Sequence, residues 1–270
     1  MSTAYKNVAI NPSLPQAFIK RRLHSFTGLF LVLFLILHLF TNSTAALFFF
    51  DENTAFIRAA NFLEYMPYLP FIELTLLALP IAIHGVWGIQ YLFQMKANSR
   101  LSSGITASLP ELPRNRAYTW QRITSVIVLI GIIAHVVHMR FLRHPEPVHT
   151  THGIEYGIQI VQDPHLETLS AQLGVTLHET PSGAIVASSP SFGAVTLVAL
   201  TSAFQSIWCC VLYTIFVCAT LFHAMNGTWT AAITWGLSLT ERSRVLVRGA
   251  TNVGLIILLL FGLMSIWGVG

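Results

Sequence analysis

Five long apolar stretches, at about 23–50, 69–94, 120–140, 193–226 and 249–269, dominate this chain. A membrane crossing needs roughly 20 apolar residues, so each stretch is long enough to cross once. Only 10% of the 270 residues are charged, against roughly 25% in a soluble domain, which excludes one large water-soluble core. The expected architecture is an all-α membrane protein, a single membrane domain over 1–270. Its five transmembrane helices are placed at about 20–48, 69–95, 118–142, 193–228 and 246–269. The run Ile123–Met139 is the shortest, and it spans only if Tyr118–Arg122 and Arg140–Arg143 sit in the interfaces. Lys20-Arg21-Arg22, an apolar run and Ser43-Thr44-Ala45-Ala46 have the outline of a signal peptide. The apolar core of a signal is about 7–15 residues, whereas this one is nearly a full span, so it is read as a retained first helix.

Basic residues give the orientation. Lys6, Lys20, Arg21 and Arg22 precede the first stretch. Lys96, Arg100, Arg114, Arg116 and Arg122 lie between the second and third, and Arg242, Arg244 and Arg248 between the fourth and fifth. These are twelve of the fifteen Lys and Arg residues, so the N-terminus is expected in the cytoplasm and the C-terminus outside. The net charge of +4 is then a topology signal and implies no nucleic-acid partner. The basic, Ser/Pro-rich connection 95–119 is expected to lie flat on the inner surface. The connection 141–192 is expected to be a long outer loop with at most short helices, punctuated by Pro181–Gly193. Its His144, His149, His152, His165 and His178 are irregularly spaced, which favours a solvated loop over a metal site. Cys209, Cys210 and Cys218 read as small apolar residues of the fourth stretch. No C-x-x-C-H motif occurs, so any haem would be bound non-covalently.

Four of the stretches each carry a histidine: His38, His84, His135 and His223. Ionisable groups at membrane depth are costly and mark function by default. Four histidines, one per helix, make two axial pairs for haem iron. Depth sets the pairing. His38 lies just before the polar Thr41-Asn42-Ser43-Thr44, and His135 five residues before Arg140, so both sit in the outer half. His84 is eleven residues past Glu73, about 16 Å along a helix, and His223 comes late in its stretch. The pairs are therefore His38 with His135 toward the outside and His84 with His223 toward the inside, two haems stacked across the bilayer. Gly88, Gly131 and Gly227 lie four residues from His84, His135 and His223, on the same helix faces. A missing side chain there leaves room for a flat macrocycle, although small residues also line ordinary helix contacts. His138 shares a face with His135 and competes with it by spacing alone. His24, Arg22, Ser25 and Arg122 sit at the inner boundary, where they suit haem propionates. Two histidines fill both axial positions of an iron and leave none open for oxygen, so such haems carry electrons.

The motifs resemble those of the cytochrome b membrane anchor of succinate dehydrogenases and fumarate reductases, in its five-helix, two-haem type. The matching elements are Arg21-Arg22-Leu23-His24-Ser25 with His38-Leu39, and Leu79-Pro80 before His84-Gly85-Val86-Trp87-Gly88. Gln121-Arg122-Ile123-Thr124 with His135-Val136, and Phe222-His223-Ala224-Met225-Asn226-Gly227 with Thr234-Trp235-Gly236, complete the set. The resemblance covers about 5–140 and 195–245 and selects His135 over His138. It implies a bacterial cytoplasmic membrane, a flavoprotein subunit with covalent FAD, an iron–sulfur subunit on the inner face, and a quinone, commonly menaquinone. The 141–192 connection looks extended relative to compact members. An acidic residue stands at the Glu73 position in the family, where a carboxylate can accept quinol protons. Equally, a glutamate is favoured at a helix start by the dipole. The competing classes are a transporter with relay histidines and the di-haem b subunit of another oxidoreductase.

Overall fold

A computed structural model describes residues 15–47, 51–94, 113–150, 153–161 and 163–269. Lys6, Lys96, Arg100, His152 and most of the 95–119 connection lie outside the described residues. Among the described residues five helices are long and apolar enough to cross a membrane. The first, α1, is Gln16–Ser43, with a 3-10 turn over Thr44–Ala46. A short helix α2, Thr54–Glu64, precedes the second span α3, Leu69–Gln94. The third span α4 is α-helical over Pro113–Val136 and π-helical over Val137–Leu142. The fourth, α7, is Ile207–Thr234, and the fifth, α8, is Glu241–Trp267.

Within α3 the stretch Glu73–Ala78 is π-helical. Pro80 follows one residue later, and a proline ring clashes with the carbonyl four residues earlier, which here is that of Leu76. The widened turn absorbs the clash. The flanks Tyr118–Arg122 and Arg140–Leu142 are helical, so the marginal third stretch is part of a much longer helix. Spans 1 and 2, 3 and 4, and 1 and 4 pack on one another, while spans 2 and 3 barely touch. Span 5 lies against spans 1 and 4. Span 2 buries no side chain within the chain, and span 3 buries only Thr124 among its described residues.

Two sequence expectations change. The connection 141–192 is a folded unit rather than a loop. Its strands β1 (Glu146–Thr150), β2 (Gly153–Ile160), β3 (Thr176–Glu179) and β4 (Ile185–Ser189) form an antiparallel sheet in the order β1-β2-β4-β3. Helix α5 (Pro164–Gln172) joins β2 to β3, capped by Asp163, whose carboxylate accepts from the His165 N–H at 2.8 Å. The period-2 signal is present in Tyr156, Ile158 and Ile160, which all point inward. Gly, His and Pro around them obscure it. Second, the helix expected at 193–228 is two helices, α6 (Phe192–Phe204) and α7, broken at Gln205-Ser206. A run of that length exceeds one span, and its first third belongs elsewhere. Ten of the thirteen α6 residues are buried. Phe192, Val195 and Val198 pack on Tyr156, Ile158 and Leu166, and Gly193 lies against the α2 backbone at Ile57, with no room for a Cβ. Asn61 of α2 fastens this junction, donating to Ser191 Oγ at 3.1 Å and accepting from the Gly193 N–H at 2.7 Å. The result is a cap over one end of the bundle, built from both connections at that end.

Candidate functional site

The four span histidines meet in two pairs. His38 and His135 have ring centres 5.8 Å apart, with planes at 84°. His84 and His223 are 6.3 Å apart at 86°. An imidazole nitrogen binds a metal at about 2.0–2.1 Å, so two rings holding one ion from opposite sides have centres roughly 6 Å apart. The residues present fit axial ligation on that measure. The first pair lies toward the cap end and the second toward the opposite end, since spans 1 and 3 run one way and spans 2 and 4 the other.

Each ring is set by neighbours. His84 Nδ1–H donates to the His24 carbonyl at 3.1 Å, with Thr27 Oγ1 at 3.4 Å. That bond leaves Nε2 as the free nitrogen, the arrangement typical of a metal-ligating histidine. The His84 ring also stacks on His24 at 4.1 Å, 9° from parallel. His223 is held through its backbone. Gln121 donates to its carbonyl at 3.1 Å and accepts from Asn226 Nδ2 at 2.7 Å. His38 lies beside Phe34, and Asn42 donates to its carbonyl at 2.8 Å. His135 is framed by Tyr213 and Phe216 at 5.8 and 5.9 Å. Nδ1 of His135 and of His223 is buried without a hydrogen-bond partner. His138, the competitor by spacing, instead has its Nδ1 2.9 Å from the Tyr213 hydroxyl.

The glycines divide. A Cβ at Gly88 would meet only His24 Cε1, at 3.9 Å, and one at Gly227 only Gln121 Nε2, at 3.8 Å. A Cβ at Gly131 would fall on the Phe216 ring, which is a close helix contact between spans 3 and 4. The tight glycine beside a paired histidine is Gly28, where a Cβ would stand 2.9 Å from His84 Cε1. Sequence reasoning passed over it, although Gly28 follows His24 by the same four residues that separate Gly88 from His84. Gln121 was quoted as part of a motif but not as a holder of His223.

Arg22 and Ser25 converge on Trp235. The guanidinium lies 4.9 Å over its ring, and Trp235 Nε1–H donates to Ser25 Oγ at 3.1 Å. Arg122 lies apart from them, over Tyr118 at 5.7 Å. At the cap end Glu73 pairs with Arg140 at 3.3 Å, both half-exposed. Each of these two sits in a π-helical segment, Glu73 in that of span 2 and Arg140 in that of span 3. Outside the spans, burial and Arg140 hold His144 below the usual histidine range, with Glu73 and Glu146 opposing. Burial raises the nearby Glu64 carboxyl. Among the described residues no three His, Cys, Asp or Glu side chains converge as a metal cluster.

Fold and site together define a polytopic helical membrane protein with two paired-histidine centres at different depths. No family model matches the chain. It is similar to the succinate dehydrogenase cytochrome b558 subunit of Bacillus subtilis (strain 168), at 28% identity over 248 residues. The match covers 92% of this chain and 94% of that protein, so the resemblance carried by four short motifs extends over nearly the whole length.

Proposed function

We propose that this chain is the membrane-anchoring cytochrome b subunit of a succinate:quinone oxidoreductase. It would pass electrons between an iron–sulfur subunit and membrane quinone, of which menaquinone is the expected kind. The observation that carries the reading is the meeting of four histidines, one from each of four spans, as two pairs near 6 Å. The B. subtilis relative supports the assignment to a succinate dehydrogenase. Partners on this reading are a flavoprotein subunit with FAD and the iron–sulfur subunit.

His38 and His135 would hold one b haem, and His84 and His223 a second. A haem with two histidine ligands supplies one-electron transfer and has no open iron position. The chain's own part is to fix the ligands. The His24 carbonyl sets the tautomer of His84, and Gln121 anchors the backbone of His223. Arg22, Ser25 and Arg122 stand at the end of the second pair, where Arg22 and Arg122 supply positive charge for propionates. Gly88 and Gly227 keep their histidine-bearing helix faces low, while Gly131 lets spans 3 and 4 approach closely. Spans 2 and 3 barely touch, which leaves that side of the bundle open within this chain.

Positive-inside bias supports an orientation with the end opposite the cap in the cytoplasm of a bacterial inner membrane. Arg22, Arg116, Arg122, Arg242, Arg244 and Arg248 cluster there, against Arg58, Arg140 and Arg143 at the cap end. The cap, the C-terminus and the His38/His135 pair would then be outside. Glu73, held by Arg140 at the cap end, is the carboxylate that would take quinol protons.

The test is a dithionite-reduced minus oxidised spectrum with a pyridine haemochrome assay on the purified chain. Two non-covalent b haems per chain are expected, with alanine at His38 or His135 removing one spectral component and at His84 or His223 the other. Intact, folded protein without haem would overturn the reading and favour a histidine-relay transporter.

A further inference from the structure

Spans 3 and 5 both pack along span 4 and hardly meet each other. Near the end opposite the cap, span 4 is therefore the floor of a groove between them. Two adjoining cavities of about 140 Å³ each lie in it, both lined by Ala117, Asn226 and Trp229. One extends to Arg248 and Asn252 on span 5, with Phe222 and Leu255 as apolar wall.

The polar groups here want an anion. Trp229 Nε1–H is buried and has no acceptor among the described residues, and an indole nitrogen can only donate. The Arg248 guanidinium lies 5.9 Å over the same indole ring. It forms no ion pair among the described residues. Arg248 is seven residues into α8, about 10 Å along the helix, which is interfacial depth in a bilayer. Donors beside a fixed positive charge match phosphate oxygens. A neutral quinone ring would satisfy the indole but leave the guanidinium unanswered. Beyond the polar Asn226, Thr251 and Asn252, an apolar wall runs toward mid-membrane along Phe222 and Leu255.

We propose that this groove is a binding site for one anionic phospholipid. Its phosphate is held by Arg248 and Trp229 Nε1–H, and an acyl chain lies against Phe222 and Leu255. Basic pockets between helices on the cytoplasmic side are suited to such head groups. The site adjoins Gln121, which lines the second cavity and also holds the His223 carbonyl. The bound lipid thus seals the flank of the segment that positions this histidine.

The experiment is native mass spectrometry with lipid extraction, on the full-length tagged chain purified in mild detergent with its natural partners. The wild type retains one phosphatidylglycerol or cardiolipin per chain after washing. Arg248→Gln lowers that occupancy about tenfold or more, the range for losing a charged hydrogen-bond partner. Trp229→Phe keeps the ring, removes only the N–H and lowers occupancy by a smaller factor. If Arg248→Gln does not fold, Trp229→Phe carries the test. Haem content is read on the same samples, so loss of the lipid site and failure of the haem reading are separate results. Equal retention by wild type and variants overturns the proposal, as does equal binding of zwitterionic phosphatidylethanolamine. So does displacement by inorganic phosphate, or recovery of a quinone in place of the lipid.

Discussion

Replacing Gly28 by alanine builds a methyl carbon 2.9 Å from Cε1 and 3.3 Å from Nδ1 of His84. Carbon atoms in comfortable contact stand at about 3.5–4.0 Å, so the methyl and the ring must separate by roughly 0.5–1 Å. If the ring retreats from span 1, it lengthens its 3.1 Å hydrogen bond to the His24 carbonyl and slides off the His24 ring. Overpacking of this kind costs about 1–3 kcal/mol. The hydrogen bond adds about 0.5–1.5 kcal/mol if it is lost. At 1.4 kcal/mol per decade, the His84/His223 site should bind its cofactor about 10- to 1,000-fold more weakly. Global stability should change less, because glycine to alanine inside a helix gains about 0.5–1 kcal/mol. Gly88→Ala is the control: its methyl meets only His24 Cε1, at 3.9 Å. Haem per chain, measured after extended washing and by redox titration, should fall in Gly28→Ala through the component that His84→Ala also removes. The reasoning is refuted if Gly28→Ala keeps full haem while Gly88→Ala loses it.

Three further outcomes are expected. Glu73→Gln breaks a half-exposed ion pair worth about 0–1 kcal/mol, so stability and both haem spectra persist while quinone-linked succinate turnover falls. Unchanged turnover would end the proton-accepting role. Gln121→Leu removes two side-chain links, to the His223 carbonyl and to Asn226. It should destabilise the chain by about 1–3 kcal/mol and broaden the spectrum of the His84/His223 haem alone, as seen by thermal melts and low-temperature spectroscopy. His144 has its folded pKa lowered from 6.5 by burial and Arg140. Its contribution to cap stability is present above 6.5 and is lost as pH falls from there through the folded-state value. Protection factors of the 153–160 amides, corrected for the intrinsic slowing of exchange in acid, should fall with acidification over that window, and His144→Phe, which packs on Phe192 without titrating, should flatten the response.

The spans were legible because membrane crossing imposes a length and a composition that no other constraint imitates. The depth argument pairs the same histidines whose rings lie near one another in the structure, because consecutive spans alternate direction. Each position along the chain then becomes a height. What escaped notice was packing that depends on shape. Gly28 and Gly88 stand at equal spacings from histidines on their own helices, yet only Gly28 is pressed against a ring of the neighbouring span. The cap was obscured for a different reason. Its helix α6 is as apolar as a span, because it is buried on every side by the sheet, α2 and α5. Hydropathy cannot distinguish burial in protein from burial in lipid. The break at Gln205-Ser206 was the available signal.

The cap also imposes a timetable. Its core joins α2 to α6, and the Asn61–Ser191 bond closes a separation of 130 residues. During synthesis from the N-terminus, spans 1 to 3 are complete before α6 exists, so nothing yet fastens the connections at that end. On the proposed pairing, His38 and His135 can come together at this stage. His84 must wait for His223, which is made only after α6. The newborn chain therefore holds both residues of its first pair while the cap end is still open, although span 3 finds its packing partner only in span 4. It can complete the second only after the α6 segment that closes the cap has been made.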